Sequence, residues 1–271
     1  MKQRLSPENQ KAQHLAVARY VFWGWMIIGL LLMLFYHVPR GLEFSNGLFN
    51  IFFALYAFIL LWEASRSSRE NQSREAGQPD WMLLLCIVLI GLVTFAAEWI
   101  GMKSGLPFGE YEYTNVLRFT GSGVPVSIAF AWAGIVVCGV LVSRAQTRIG
   151  RALEVGVVAL WFDLVLDPVA AAREFWIWKD SAEWGSYYGI PLQNFLSWLV
   201  LAMLMSLLLP KLATPPPLRK EALRLSQGML FMFGLLAGKE LLWWPLGIAA
   251  AGLIVLEGRI RLDRSEQKPS L

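Results

Sequence analysis

Charged side chains are scarce in this 271-residue chain, of which only 16% is Asp, Glu, Lys or Arg. Ordinary soluble domains carry about a quarter charged residues. Hydrophobic residues make up 56% of the chain, and the mean hydropathy is +0.49. This composition excludes a typical soluble enzyme and places the chain among integral membrane proteins.

Cysteine and histidine are also rare, with two of each. Cys86 and Cys138 lie in separate apolar runs, so no CxxC redox pair or zinc framework is available, and a disulfide is not expected. His14 and His37 flank the first apolar run, which leaves no histidine cluster for haem, copper or a di-iron centre. Any metal would need carboxylate ligands.

Several common catalytic motifs are missing as well. The sequence contains no GxxxxGK(S/T), GxGxxG, HExxH or GxSxG, so nucleotide, dinucleotide, zincin and hydrolase-elbow functions lack support. The net charge of +4 does not indicate a nucleic-acid partner, because the cations are distributed as a topology signal.

Long hydrophobic runs, in contrast, are abundant, and about 17 to 25 apolar residues cross a bilayer as a helix. A last stretch, about 225–257, is too long for one span and is interrupted at Gly238, Lys239 and Glu240. We predict two short helices joined by a tight turn there. The fold class is therefore all-α, a polytopic transmembrane helix bundle of about eight spans, with seven possible. The six clear spans are about 17–36, 47–63, 81–101, 124–143, 152–172 and 192–209.

The positive-inside rule orients these spans, because most of the 24 Lys and Arg residues fall in alternate connections that include both termini. We expect both termini to be cytoplasmic. Residues 1–16 and 258–271 form the predicted cytoplasmic tails around one transmembrane domain, 17–257. The segments 65–80 and 210–224 are predicted cytoplasmic linkers.

Of the acidic residues in and near the predicted outer connections, three fall inside predicted helices: Glu98, Asp163 and Asp167. An ionisable group in hydrocarbon is costly and therefore indicates a functional site. Asp163 and Asp167 are four residues apart and share one helix face, where both cannot comfortably be ionised. One is expected to stay protonated, as a general acid requires. Alternatively, the aspartates fasten helices by pairing with Arg173 or Lys239 or by hydrogen-bonding Asn194. Glu98 is either a base or orienting group, or a plain interfacial carboxylate.

The predicted outer connections are rich in glycine and aromatic residues, in the segments 105–113, 176–178 and 184–191. Such residues commonly form belts at the membrane interface. The Gly and Pro among them also favour ordered loops that line a cavity. An aromatic cavity with few polar groups suits a long apolar substrate, and its rings can stabilise a cation. A transporter also remains open, although the expected inverted repeat is missing.

Six motifs, taken in order between about residues 80 and 200, resemble the integral-membrane carotenoid biosynthesis family. This family includes the carotenoid 1,2-hydratases of bacteria and the bisanhydrobacterioruberin hydratases of haloarchaea. The motifs are Glu98-Trp-Ile-Gly101, Gly105-Leu-Pro-Phe-Gly-Glu-Tyr-Glu-Tyr113, Gly123-Val-Pro125 with Trp132, Asp163-Leu-Val-Leu-Asp-Pro168, Trp176-Ile-Trp178, and Tyr187-Tyr-Gly-Ile-Pro191 followed by Asn194 and Trp198.

The resemblance implies addition of water across the terminal C1,C2 double bond of an acyclic carotenoid end, giving a tertiary alcohol. Lycopene and γ-carotene carry such ends. The reaction needs an acid to protonate C2, a lining that tolerates a tertiary carbocation, and a positioned water with a base. Either Asp163 or Asp167 would be the acid, and the other aspartate or Glu98 would orient water. No redox cofactor or metal is required.

The resemblance also implies a multi-pass protein of a bacterial or archaeal cell (inner) membrane. The expected partners are a carotenoid within the bilayer and other carotenoid enzymes. A carotenoid end-group cyclase and a non-enzymatic isoprenoid or lipid carrier remain alternatives. The residues expected to contact substrate are Trp99, Tyr111, Tyr113, Trp132, Trp176, Trp178, Tyr187, Tyr188 and Asn194.

Overall fold

The computed structural model describes residues 7–36, 39–70, 80–117, 123–179 and 185–266. Eight α-helices occupy most of these residues, together with two short 3-10 turns and two small antiparallel sheets. The helices are α1 (Pro7–Phe35), α2 (Phe44–Glu70), α3 (Trp81–Ser104), α4 (Val126–Val142), α5 (Arg148–Ala172), α6 (Leu192–Ser206), α7 (Pro216–Lys239) and α8 (Trp243–Glu266). The strands are β1 (Tyr111–Tyr113), β2 (Trp176–Trp178), β3 (Ser186–Tyr187) and β4 (Ile190–Pro191).

The break predicted in the last apolar stretch is confirmed. Helix α7 ends at Lys239, and α8 begins at Trp243 after a turn in which Leu241 adopts a positive φ of 57°. The predicted linkers 65–80 and 210–224 are both too long, because α2 continues to Glu70 and α7 already begins at Pro216. Proline is compatible with this first turn, where the backbone N–H needs no partner within the helix.

Four helices are long and apolar enough to cross a membrane: α1, α2, α3 and α5. Helices α4 and α6 are apolar but shorter, at 17 and 15 residues. The outer faces of the bundle are apolar, as on α3, where Leu85 and Leu92 are exposed. These features are those of a multi-pass membrane protein. The predicted tails continue the helices, since 7–16 belongs to α1 and 258–266 to α8, whereas 1–6 and 267–271 lie outside the described residues.

Close helix crossings depend on glycine, as is common where helices pack in membranes. A Cβ built at Gly134 on α4 would lie 2.6 Å from the ring of Phe53 on α2. A Cβ at Gly156 on α5 would lie 2.8 Å from the backbone oxygen of Leu199 on α6. At these two glycines, α4 packs closely against α2 and α5 packs closely against α6.

The two ends of the bundle differ in chemistry. At one end, Asp263 lies 3.6 Å from both Arg144 and Arg219, and Arg151 donates hydrogen bonds to the carbonyls of Ser206, Leu209 and Pro210. At the other end, α3 stops at Gly105 in the left-handed conformation, and the chain continues into the β1–β2 sheet. This aromatic end holds the candidate site.

Candidate active site

The β1–β2 sheet carries four aromatic side chains on one face. Its register pairs Tyr111 with Trp178 and Tyr113 with Trp176. Side chains alternate across a strand. The intervening Glu112 is exposed and forms a 2.9 Å ion pair with Lys179 on the solvent side. The alternation in Tyr-Glu-Tyr and Trp-Ile-Trp therefore directs two phenols and two indoles towards the helices.

Glu98 is hydrogen-bonded to two aromatic side chains on this face of the sheet. It lies on α3 in the buried row that includes Ile90, Thr94 and Gly101, and it is only 4% exposed. Its Oε2 accepts hydrogen bonds from the hydroxyls of Tyr111 and Tyr113, the latter at 2.8 Å. Its Oε1 accepts the indole N–H of Trp132 at 2.8 Å.

The two phenols act as donors in this cluster. The pKa of both Tyr111 and Tyr113 is raised, mainly by burial and secondly by the charge of the neighbouring Glu98 carboxylate. Both phenols therefore keep their hydroxyl hydrogens. Trp132 is itself fully buried and stacks on Trp198 of α6 with ring centroids 3.6 Å apart. Glu98 thus ties the sheet to α3 and α4.

Asp163 and Asp167 lie on α5, both 2% exposed, and are bridged by one amide. Nδ2 of Asn194, in the first turn of α6, donates to Oδ2 of Asp163 at 2.9 Å and to Oδ2 of Asp167 at 2.7 Å. Oδ1 of Asp167 accepts the indole N–H of Trp176 at 2.5 Å and of Trp178 at 3.4 Å. The sheet therefore contacts both acid groups, Glu98 through its phenols and Asp167 through its indoles.

The proposed fastening partners of the aspartates divide into two kinds. Arg173 pairs with Glu240 at 2.8 Å, and Lys239 donates to the carbonyl of Met33 at 2.6 Å, so both cations are engaged elsewhere. The hydrogen bonds from Asn194 are present. An amide carries no charge and does not neutralise a carboxylate. The repulsion between two ionised aspartates, which their spacing predicts, is therefore not relieved by Asn194.

The three acids and most of the aromatic residues of the site line one cavity. It contains about 1170 Å³ of space free of protein atoms, its open mouth included. Glu98, Asp163 and Asp167 line it with Asn194. Its remaining wall is mainly apolar and comes mostly from α1, α2, α4, α5 and α7. Predominantly apolar cavities with a few convergent polar groups are typical of small-molecule sites.

The predicted substrate-contacting residues are not all at this cavity. Tyr111, Tyr113, Trp176, Trp178 and Asn194 line it, whereas Trp132 lies behind Glu98.

Three further aromatic residues lie elsewhere. Trp99 is 52% exposed on the outer face of α3. Tyr187 and Tyr188 belong to the β3–β4 turn, where the Tyr188 hydroxyl accepts the backbone N–H of Trp244 at 3.3 Å. Substrate contact stays a prediction for all nine residues, those at the cavity included.

Two polar residues of the cavity wall were missed by sequence reasoning. Asn46 and Asn50 line the cavity from the first turns of α2. Nδ2 of Asn46 donates to the carbonyl of Glu43 at 3.0 Å. Two asparagines spaced i, i+4 at the start of an apolar run share a helix face, and this spacing was the available signal.

No group of three His, Cys, Asp or Glu side chains positioned to hold a metal ion occurs among the residues that the structure describes. The expectation that the reaction needs no metal or cofactor remains a prediction.

Comparison with known proteins agrees with the motifs. The model of a family described as "Carotenoid biosynthesis protein" matches residues 46–257. The bisanhydrobacterioruberin hydratase of Haloarcula japonica is 31% identical over 241 residues, which cover 81% of this chain and 77% of that protein. No solved structure matches the chain. On the strength of the family match and this relative, the chain belongs to the carotenoid biosynthesis protein family.

Proposed function

We propose that this protein is a carotenoid hydratase that adds water across the terminal C1,C2 double bond of an acyclic carotenoid end. The observation that carries the proposal is the placement of three buried carboxyl groups and four aromatic rings around one apolar cavity. The similarity to a protein named as a hydratase supports the same reaction.

The chemistry follows from the polarity of the site. Protonation of an isolated alkene needs a carboxylic acid that stays protonated and is held against the double bond away from bulk water, and the buried Asp163/Asp167 pair supplies such a desolvated acid. Protonation at C2 leaves a tertiary cation at C1. Tyr113 and Trp176, whose rings meet edge to face with centroids 5.8 Å apart, both line the cavity, and the negative potential of an aromatic face there would stabilise that cation. Water adds at C1, and a carboxylate takes its proton.

The mass of the product tests this function. We expect expression of the chain in a host that accumulates lycopene to yield a carotenoid heavier by one water. An isomer of unchanged mass would instead indicate cyclisation, which begins with the same protonation and ends with proton loss. Unaltered lycopene, with folded protein in the membrane, would contradict any hydratase or cyclase activity on this end group.

We also propose that all eight helices span the membrane, with the aromatic end outside the cytoplasm and both termini inside. Basic side chains gather at the opposite end of the bundle, among them Arg144, Arg151 and Arg219. This distribution supports the orientation, because basic residues favour the cytoplasmic side.

Two single cysteines test the orientation. Glu112→Cys lies at an exposed position of the aromatic end, and Ser265→Cys lies at an exposed position near the end of α8. An impermeant thiol reagent applied to intact cells is expected to label the first variant and to leave the second unlabelled. The unmodified chain, with Cys86 and Cys138, gives the background. The reverse pattern would invert the topology.

A further inference from the structure

The six carboxyl oxygens of the site are not equivalent, because their hydrogen-bond donors differ in number. We propose that Asp163 carries the catalytic proton on Oδ1, and that Asp167 and Glu98 are held as acceptors. This assignment rests on the proposed hydratase function and decides which member of the aspartate pair is the acid.

Asp167 accepts N–H donors on both oxygens. Oδ1 receives the indoles of Trp176 and Trp178, and Oδ2 receives the amide of Asn194. An indole N–H can only donate, so the oxygen that it meets must accept. Donors on both oxygens stabilise the ionised carboxylate relative to the acid. Asp167 is therefore poorly placed to hold a proton and well placed to hold a negative charge.

Asp163 has the complementary arrangement. Its Oδ2 accepts from Asn194, while its Oδ1 receives no hydrogen bond from any residue in the described part of the chain. The side chain lines the cavity. Before a cation forms on the substrate, two carboxylates that share one amide nitrogen in apolar surroundings cannot both be ionised. The proton is then best placed on Oδ1 of Asp163, where it displaces no donor.

Glu98 resembles Asp167 and not Asp163. An indole occupies Oε1, and two phenols that retain their hydrogens occupy Oε2. A proton on Glu98 would compete with one of these donors. Of the three acids, Asp163 alone presents an oxygen that is free of donors among the described residues.

This division gives a balanced cycle. Asp163 Oδ1–H transfers its proton to C2, and the π electrons of the C1,C2 bond form the new C–H bond, leaving the positive charge on C1. The oxygen of water forms a bond to C1, and the resulting oxonium loses one proton to the Asp163 carboxylate. The acid is regenerated, and the net change is addition of one water. Asn194 is a positioning residue in this cycle, because it fixes Oδ2 of both aspartates and leaves Oδ1 of Asp163 without a donor among the described residues.

Infrared spectroscopy of the whole protein in lipid vesicles tests the assignment without requiring turnover. The carbonyl stretch of a protonated carboxylic acid is distinct from the carboxylate bands and shifts in D₂O. We expect a carboxylic-acid band of the unmodified protein to disappear in Asp163→Asn and to persist in Asp167→Asn. Glu112→Gln removes an exposed carboxylate of the same sheet and is the matched control, in which the band is expected to be unchanged.

Product formation in the lycopene-accumulating host gives the second readout. Asp163→Asn is expected to lower hydration by about 10²–10⁴-fold, the usual contribution of a general acid. Asp163→Glu, which keeps an acidic group, is expected to restore part of the activity. It is also expected to shift the carboxylic-acid band without deleting it, which keeps the test valid should Asp163→Asn fail to fold.

Loss of the band in Asp167→Asn and its survival in Asp163→Asn would overturn the assignment. So would a spectrum in which neither substitution removes a band. If the unmodified chain hydrates nothing while the band still follows Asp163, the proton position stands and the proposed function fails.

Discussion

Replacing Glu98 with alanine is expected to lower the free energy of unfolding by about 3 kcal/mol or more. The substitution leaves three buried donors without an acceptor, namely the hydroxyls of Tyr111 and Tyr113 and the indole N–H of Trp132. Each buried polar group that loses its partner costs about 1–3 kcal/mol. These donors come from β1 and α4, so the cost falls on the contacts that hold the sheet against the bundle.

Thermal unfolding in detergent, followed by size-exclusion chromatography, measures this effect. Glu98→Gln keeps an acceptor oxygen of similar shape and is expected to lose much less stability than Glu98→Ala. Glu112→Gln, on the exposed side of the same sheet, is expected to leave the unfolding temperature unchanged. An unaltered unfolding temperature for Glu98→Ala would show that the carboxylate does not anchor the sheet. If Glu98→Gln folds normally but no longer hydrates carotenoid, Glu98 also acts as a base or orienting group, one of the two roles that the sequence leaves open.

Much of the site could be predicted because its signals are local in sequence. The i, i+4 spacing of Asp163 and Asp167 placed both acids on one face of a helix, and the structure brings both to one cavity. The interruption at Gly238–Glu240 correctly divided the last apolar stretch into α7 and α8. Both signals are local: helical periodicity and helix-ending residues determine structure only a few residues away.

The remaining features depend on contacts between distant parts of the chain. Pairing of Tyr111 with Trp178 joins segments more than sixty residues apart, and no local pattern specifies that register. Trp99 and Trp132 are both aromatic residues on apolar helices, yet Trp132 is buried against Glu98 whereas Trp99 faces outward. In an all-apolar helix, hydropathy does not distinguish the face that packs against protein from the face that meets lipid. The neighbouring helices decide it.

Replacing Gly156 with alanine is expected to separate α5 from α6 and to disrupt the aspartate site at a distance. The new Cβ would lie 2.8 Å from the carbonyl oxygen of Leu199 and against the side chain of Met203, both on α6. A backbone oxygen cannot yield by changing rotamer, so the helices must move apart. Overpacking of this kind costs about 1–3 kcal/mol. Because Asn194 reaches Asp163 and Asp167 across the same helix pair, their hydrogen bonds are expected to lengthen or break.

Gly247→Ala provides the matched control, since Gly247 is also helical but a Cβ there would meet nothing within 4 Å. That change is expected to be neutral or to stabilise the protein by about 0.5–1 kcal/mol, the ordinary gain of alanine over glycine in a helix. Thermal unfolding of both variants measures the difference, and the carboxylic-acid band reports whether the aspartate pair is disturbed. Equal unfolding temperatures with an unchanged band would mean that α5 and α6 tolerate the extra methyl group. A lower unfolding temperature with an altered band in Gly156→Ala alone would link this helix crossing to the placement of the catalytic proton.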